Sequence, residues 1–292
     1  MLPPDRKPMR MFYDLARRRW RRLRARTVQT VPIFHIGRCG STVLNKMLQK
    51  HPRIRADSEV YQVIYPKLRN KRPDLDPITF TRERIGQGAR FAPFRGRYIF
   101  EMKFFSGLDL KLFPTGLAGY IDLMSDLGIG KAIVLRRRNL LRRVVSTQIA
   151  VKRGAFQRRS YDAAPVLPQI TLELDRLWLG DAHDIVTLFD RIGDEYDQLF
   201  GWLDKRGIAC TEIVYEDHIE QDPQVGYGRI CAFMGLRPGR PEVPLARINT
   251  ASLRDVLLNF DAVHERLAPT RHAWMLEDGA ALPQHAPQRW IS

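Results

Sequence analysis

The chain is short of cysteine, of acid and of long apolar runs. Its three cysteines, Cys39, Cys210 and Cys231, are far apart and odd in number. That argues for a reducing compartment and against a disulfide framework, and their spacing suits no metal. No stretch approaches the roughly 20 apolar residues of a membrane-crossing helix. The N-terminus is basic but has no apolar stretch behind it, so a secretory signal is not expected and a cytoplasmic location is. There is no internal repeat. No Gly-x4-Gly-Lys-Ser/Thr pattern occurs, which disfavours kinases and NTPases that use a loop lysine and magnesium. Acid is outnumbered: 48 Lys and Arg stand against 32 Asp and Glu, a net charge of +16. Such a balance favours anionic partners, among them nucleotides, anionic sugars, nucleic acid and lipid surfaces.

What is present is ample core material, 44% hydrophobic residues in a chain of 292. The stretch Val31–Pro52 organises the rest. Val31 to Ile36 is β-branched and aromatic and reads as a buried strand. Gly37 and Gly40 bracket a turn, where glycine tolerates torsions that a Cβ resists. Ser41 and Thr42 are placed to cap a helix whose apolar face is Val43, Leu44, Met47 and Leu48. A glycine loop running into a helix N-terminus cradles anions, because its free N–H groups and the helix dipole point at one ligand. Residues 37 to 43 are therefore read as a phosphate-binding loop.

Along the chain, residues 9 to 26 read as a basic helix with Phe12, Leu15, Ala16, Trp20 and Leu23 on one side. It suits an anionic membrane surface, or equally a terminal helix packed on the domain. Nucleic acid is a weaker fit, since no nucleic-acid module follows. Residues 66 to 96 read as a partly helical surface excursion. Tyr98–Phe105, Lys131–Leu135 and Thr211–Tyr215 are the further strands expected. Helices are expected from Arg136 to Ala150, over 171–206, from Tyr227 to Met234 and over 247–267, with an irregular tail from Pro269. The alternation implies an α/β fold with a central, mainly parallel sheet between two helical layers. The domain reading is a basic extension at 1–28, one α/β domain at 29–270 and a tail at 271–292. In such sheets ligands sit at the strand carboxyl ends, where the Gly37 loop, Lys103 and Arg136–Arg138 could converge.

Two of these segments together resemble a known family. Gly37-Arg-Cys-Gly-Ser-Thr-Val-Leu44 is similar to the 5′-phosphosulfate loop of sulfotransferases that use phosphoadenosine phosphosulfate (PAPS). Val134-Leu-Arg-Arg-Arg-Asn-Leu-Leu-Arg-Arg-Val-Val-Ser146 is similar to their 3′-phosphate motif, with Arg138 and Ser146 in the matching places. Ile213-Val-Tyr-Glu-Asp217, Asp222-Pro223 and Ile230–Leu236 resemble the family's late strand and helix. The resemblance spans roughly residues 31 to 267. It implies a P-loop NTPase-like three-layer fold and sulfuryl transfer from PAPS to a hydroxyl, with no metal required. The 5′ side would be held by Gly37, Arg38, Cys39, Gly40, Ser41, Thr42 and Val43, and the 3′-phosphate by Arg138 and Ser146.

The chemistry needs charge stabilisation on the leaving phosphate and activation of the acceptor hydroxyl. The resemblance assigns the first to Arg38, which stands where many cytosolic members carry a lysine. Arginine binds anions well but donates protons poorly. The histidine that the cytosolic branch carries after Lys103 is absent here, where Phe104 and Phe105 follow. Carbohydrate-type branches instead use a glutamate shortly after the first helix, and Glu59 matches it as base. Beside Val60 and Tyr61 an apolar setting is expected for it. Lys103 is read as contacting the transferring group or merely ending a strand. Arg137, Arg142 and Arg143 are read as a solvated face, Glu216 as a buttress or arginine partner, and Cys39 as spacing. Asn249, Thr250 and Asn259 are guessed to approach the nucleotide. The expected acceptor is a carbohydrate or glycolipid. The alternatives are a P-loop kinase and a non-catalytic basic scaffold on membrane or nucleic acid.

Overall fold

The computed structural model describes residues 27–64, 76–105, 109–154, 169–175, 184–243 and 251–277. The basic helix expected over 9–26, the pair Asn249 and Thr250, and residues 278–292 of the expected tail lie outside them.

Five parallel strands make one sheet. They are β1 (Gln29–His35), β2 (Ile54–Glu59), β3 (Arg97–Lys103), β4 (Lys131–Arg136) and β5 (Ala209–Val214), in the order β2-β3-β1-β4-β5. The inner residues of β1, Val31–His35, and of β4, Ala132–Arg136, are buried without alternation, which requires helices over both faces of the sheet. The chain moves from β1 outward to β2, returns to β3, then crosses to β4 on the other side of β1. That reversal opens a crevice at the carboxyl end of β1. This is the three-layer α/β architecture the alternation implied.

The helices follow from local signals. α1 (Ser41–Gln49) buries Leu44, Met47 and Leu48. α2 (Pro77–Phe91) starts at Asp76, whose carboxylate accepts from the amides of Ile78 and Thr79, with Pro77 at the first helical position. α3 (Gly116–Asp126) follows a short 3-10 turn, and α4 (Leu140–Arg153) is capped by Asn139 and closed by left-handed Gly154. α5 (Ile185–Lys205) packs Leu188, Phe189, Ile192, Tyr196, Leu199 and Leu203 inward. The one-turn α6 (Tyr215–His218), α7 (Pro223–Phe233), α8 (Leu253–Val256) and α9 (Phe260–Leu267) complete the described elements.

Several expectations shift. β2 was not expected, because Ile-Arg-Ala-Asp-Ser-Glu has little apolar content. As an edge strand it buries only alternate residues, Ile54 and Ala56. Arg136 ends β4 rather than starting a helix. The long helix expected over 171–206 begins at Ile185, where Asp184 caps it. In place of one helix over 247–267, the described residues from 251 on hold two, broken at Leu257. The tail expected to be irregular from Pro269 contains a 3-10 turn, Ala273–Leu276, with Met275 buried. Asn139 Nδ2 donates to the Met275 carbonyl at 3.0 Å, so this segment is tied to the start of α4.

Candidate functional site

The loop after β1 is shaped by three successive demands. Gly37, Arg38 and Gly40 all take positive φ, at 80°, 59° and 83°. At Gly40 a Cβ would come within 2.9 Å of two Ile219 side-chain atoms, so glycine is required twice over. The helix begins at Ser41 directly after Gly40, and no side chain caps it. The capping expected of Ser41 and Thr42 is therefore not made, and the first-turn amides keep their donors for something else.

Arginines crowd this end of the helix. Arg38 donates from Nε and Nη2 to Ser146 Oγ at 3.1 and 3.0 Å. Arg143, which was expected in a solvated face, is buried and donates to the carbonyls of Ile36 at 2.6 Å and Gly37 at 3.4 Å. It needs that position because a buried guanidinium must satisfy its donors on backbone oxygens. Arg137 donates to the Arg38 carbonyl at 3.4 Å and lies over the Tyr215 ring. Burial, then Arg137 and Arg143, push the Arg38 guanidinium below its ordinary value. Arg143 is lowered in the same way, by burial first. Three arginines held this close to one loop, with Glu216 3.9 Å from Arg137 Nε, concentrate positive charge where an anion would sit. Arg142 is not solvated either: it donates to the Ala251 carbonyl at 2.7 Å.

The two residues assigned to a 3′-phosphate have different partners. Ser146 faces Arg38. Arg138 forks onto Asp217, with Nη1 to Oδ1 at 2.6 Å and Nη2 to Oδ2. Glu216 accepts the amides of Arg138 and Asn139 at 3.0 and 3.1 Å, so it buttresses the turn from β4 into α4. Cys39 is buried, its thiol donates to the Gly37 carbonyl, and burial pushes it up, so it stays protonated at neutral pH. Asn259 is occupied by both backbone groups of Leu172.

Beside the loop lies a second group. Lys103, at the end of β3, places Nζ 2.6 Å from Glu59 Oε2 at the end of β2. Its Cε lies 3.7 Å from where a Gly37 Cβ would stand, so the lysine stretches alongside the loop. Gln62 Nε2 also donates to Glu59. The carboxylate thus has a cation and an amide around it, not the apolar setting expected from Val60 and Tyr61. A register shift between Asp57 and Glu59 sets Glu59, rather than Ser58, opposite Glu101.

Two members of this group were missed from the sequence. His35, fully buried, accepts the Gly37 amide on Nδ1 at 3.0 Å and holds Nε2 3.4 Å from Glu101 Oε2. The signal was there: each is a lone titratable residue inside an apolar strand, in Ile-Phe-His-Ile and Ile-Phe-Glu-Met.

Neither a protein-family model nor a curated protein sequence matches the chain. Among solved structures it is similar to a sulfotransferase from Alicyclobacillus acidocaldarius, at 16% identity over 90% of this chain and 99% of that one, with a TM-score of 0.51. It is also similar to a NadR protein in complex with NR, at 14% identity over 82% of this chain and 62% of that one, with a TM-score of 0.42. The second likeness is too distant to carry an argument. The first establishes a shared three-layer α/β fold. Among the described residues, no helix is long and apolar enough to cross a membrane.

Proposed function

We propose that the chain is a sulfotransferase moving a sulfuryl group from PAPS to an acceptor hydroxyl, with a carbohydrate or glycolipid as the acceptor class. The observation that carries this reading is the adjacency of two sites. An uncapped helix start ringed by Arg38, Arg137 and Arg143 lies beside the Glu59–Lys103 pair. The first suits a terminal phosphate that must leave as an anion. The second suits a hydroxyl that must lose a proton.

In the transfer, Glu59 takes the proton from the acceptor hydroxyl as that oxygen bonds to sulfur. The bond between sulfur and the 5′-phosphate oxygen breaks, and its electron pair stays on the phosphate. Arg38 and the amides of Ser41 to Val43 stabilise that developing charge. Lys103 faces the sulfonate oxygens and holds Glu59 in place. Arg138 takes the 3′-phosphate by letting go of Asp217. Because the leaving group is already a good anion, the reading needs no metal.

The test is calorimetric binding of PAP, the desulfonated product, with and without magnesium. Tight binding independent of magnesium, weakened by at least about 2 kcal/mol in Arg38→Ala, is expected. A folded wild type that binds ATP with magnesium but not PAP would move the chain to the kinase reading. Binding of neither would leave the basic scaffold reading.

A further inference from the structure

His35, Glu101 and Glu59 come from three adjacent strands and point to one side of the sheet. One ligand-type atom from each lies within 4.8 Å of the others. His35 and Glu101 are buried, at 0% and 2% exposure. His35 Nε2 and Glu101 Oε1 have no hydrogen-bond partner among the described residues. The spacing alone would suit a metal ion. The proton positions do not. His35 Nδ1 accepts the Gly37 amide, so in the neutral ring the proton is on Nε2, the atom a metal would need. Moving that proton to Nδ1 would set two N–H groups face to face. Lys103 already provides a cation at Glu59, at 2.6 Å.

Building on the sulfotransferase reading, we propose that His35 is a positioning residue coupling the anion loop to the carboxylates, and that Glu101 is an inner acceptor acting through Glu59. Nδ1 turns the first loop amide inward and so sets the loop. Nε2–H faces Oε2 of Glu101 at 3.4 Å as an electrostatic neighbour, and Oε1 of Glu101 has no hydrogen-bond partner among the described residues. The proton that Glu59 removes from the acceptor hydroxyl passes to Glu101 across one bridging water, since the two carboxylates lie within 4.8 Å of each other and not at hydrogen-bond distance, and returns the same way to solvent after the product leaves. His35 keeps its own proton throughout.

Two near-isosteric variants separate the halves. His35→Asn retains an acceptor near the Nδ1 position and loses the N–H that faces Glu101. His35→Gln retains a donor near the Nε2 position and loses the acceptor for Gly37. Three readouts are taken: PAP affinity by calorimetry, PAPS hydrolysis at saturation with water as acceptor, and histidine nitrogen NMR on the wild type. The His35 signal is the one missing from either variant. A crossed pattern is expected: His35→Gln loses about tenfold in affinity and less in rate, while His35→Asn and Glu101→Gln lose about tenfold in rate and less in affinity. The wild-type spectrum should show Nδ1 bare and Nε2 protonated. Equal losses in both variants overturn the proposal, as does a proton on Nδ1. So does zinc or manganese bound by the wild type and lost in His35→Asn and Glu101→Gln. Failure of the wild type to bind PAP would instead sink the sulfotransferase reading, and the tautomer would then decide the coupling role of His35 alone.

Discussion

Arg38 and Ser146, 108 positions apart in sequence, are joined by two hydrogen bonds to one hydroxyl, at 3.1 and 3.0 Å. The contact aims a guanidinium from the loop across the crevice onto the second turn of α4. Ser146→Ala removes this acceptor from the guanidinium. PAP affinity should fall by about 0.5–1.5 kcal/mol, the scale of one hydrogen bond. Calorimetry on Ser146→Ala beside wild type checks this, and an affinity equal to wild type would remove Ser146 from the site.

Arg138 is held by Asp217, which is partly exposed. If Arg138 serves a phosphate, Asp217 competes with it. Asp217→Ala should raise PAP affinity by about threefold to tenfold, because a partly exposed ion pair is weak and its loss releases a strong anion binder. The gain should vanish in the Arg138→Ala background. Unaltered affinity in both single variants would place Arg138 outside the nucleotide site.

Glu59→Gln keeps shape and removes the base. PAPS turnover should drop by about 10²–10⁴ while PAP affinity stays within about threefold. Comparable losses in rate and affinity would mean that Glu59 organises the loop instead of moving a proton.

Gly40 and Gly128 both take positive φ, but only Gly40 has neighbours where a Cβ would go. Gly128→Ala should cost about 1 kcal/mol from backbone strain alone, and Gly40→Ala about 2–4 kcal/mol from strain and crowding together. Urea unfolding of the pair measures the difference, and equal costs would contradict the close approach to Ile219.

Stability should depend on pH through His272. Burial lowers its pKa below the ordinary 6.5, outweighing Asp190, whose carboxylate is shared with Arg271. A depressed histidine is more easily protonated when unfolded. The stability is therefore full above pH 6.5 and declines as pH falls through the lower folded value. His218, also depressed by burial, adds in the same direction. Urea midpoints between pH 5 and 8 should fall on the acid side, and His272→Gln should flatten that slope. A slope unaltered by the substitution would assign the dependence elsewhere.

By itself the sequence determined the layered α/β architecture. Apolar strand runs, glycine turns and periodic helices are local signals, and each was readable where the element carries its own apolar or periodic pattern. β2 escaped because it buries only Ile54 and Ala56 and alternates them with charged and polar residues. The loop Gly37–Val43 was legible for the same local reason, since positive φ and a helix start are written in neighbouring residues. Only the tertiary structure decided the partners. Ser146 serves Arg38 and not Arg138, Arg143 turns inward to two loop carbonyls, and Asp217 occupies Arg138. The slip after Asp57 that brings Glu59 opposite Glu101 depends on how β2 pairs with β3, and the alignment of His35 with Lys103 on the packing of β1 beside β3. Contacts between distant segments depend on sheet order and register, which arise when the strands assemble and leave no period in the chain.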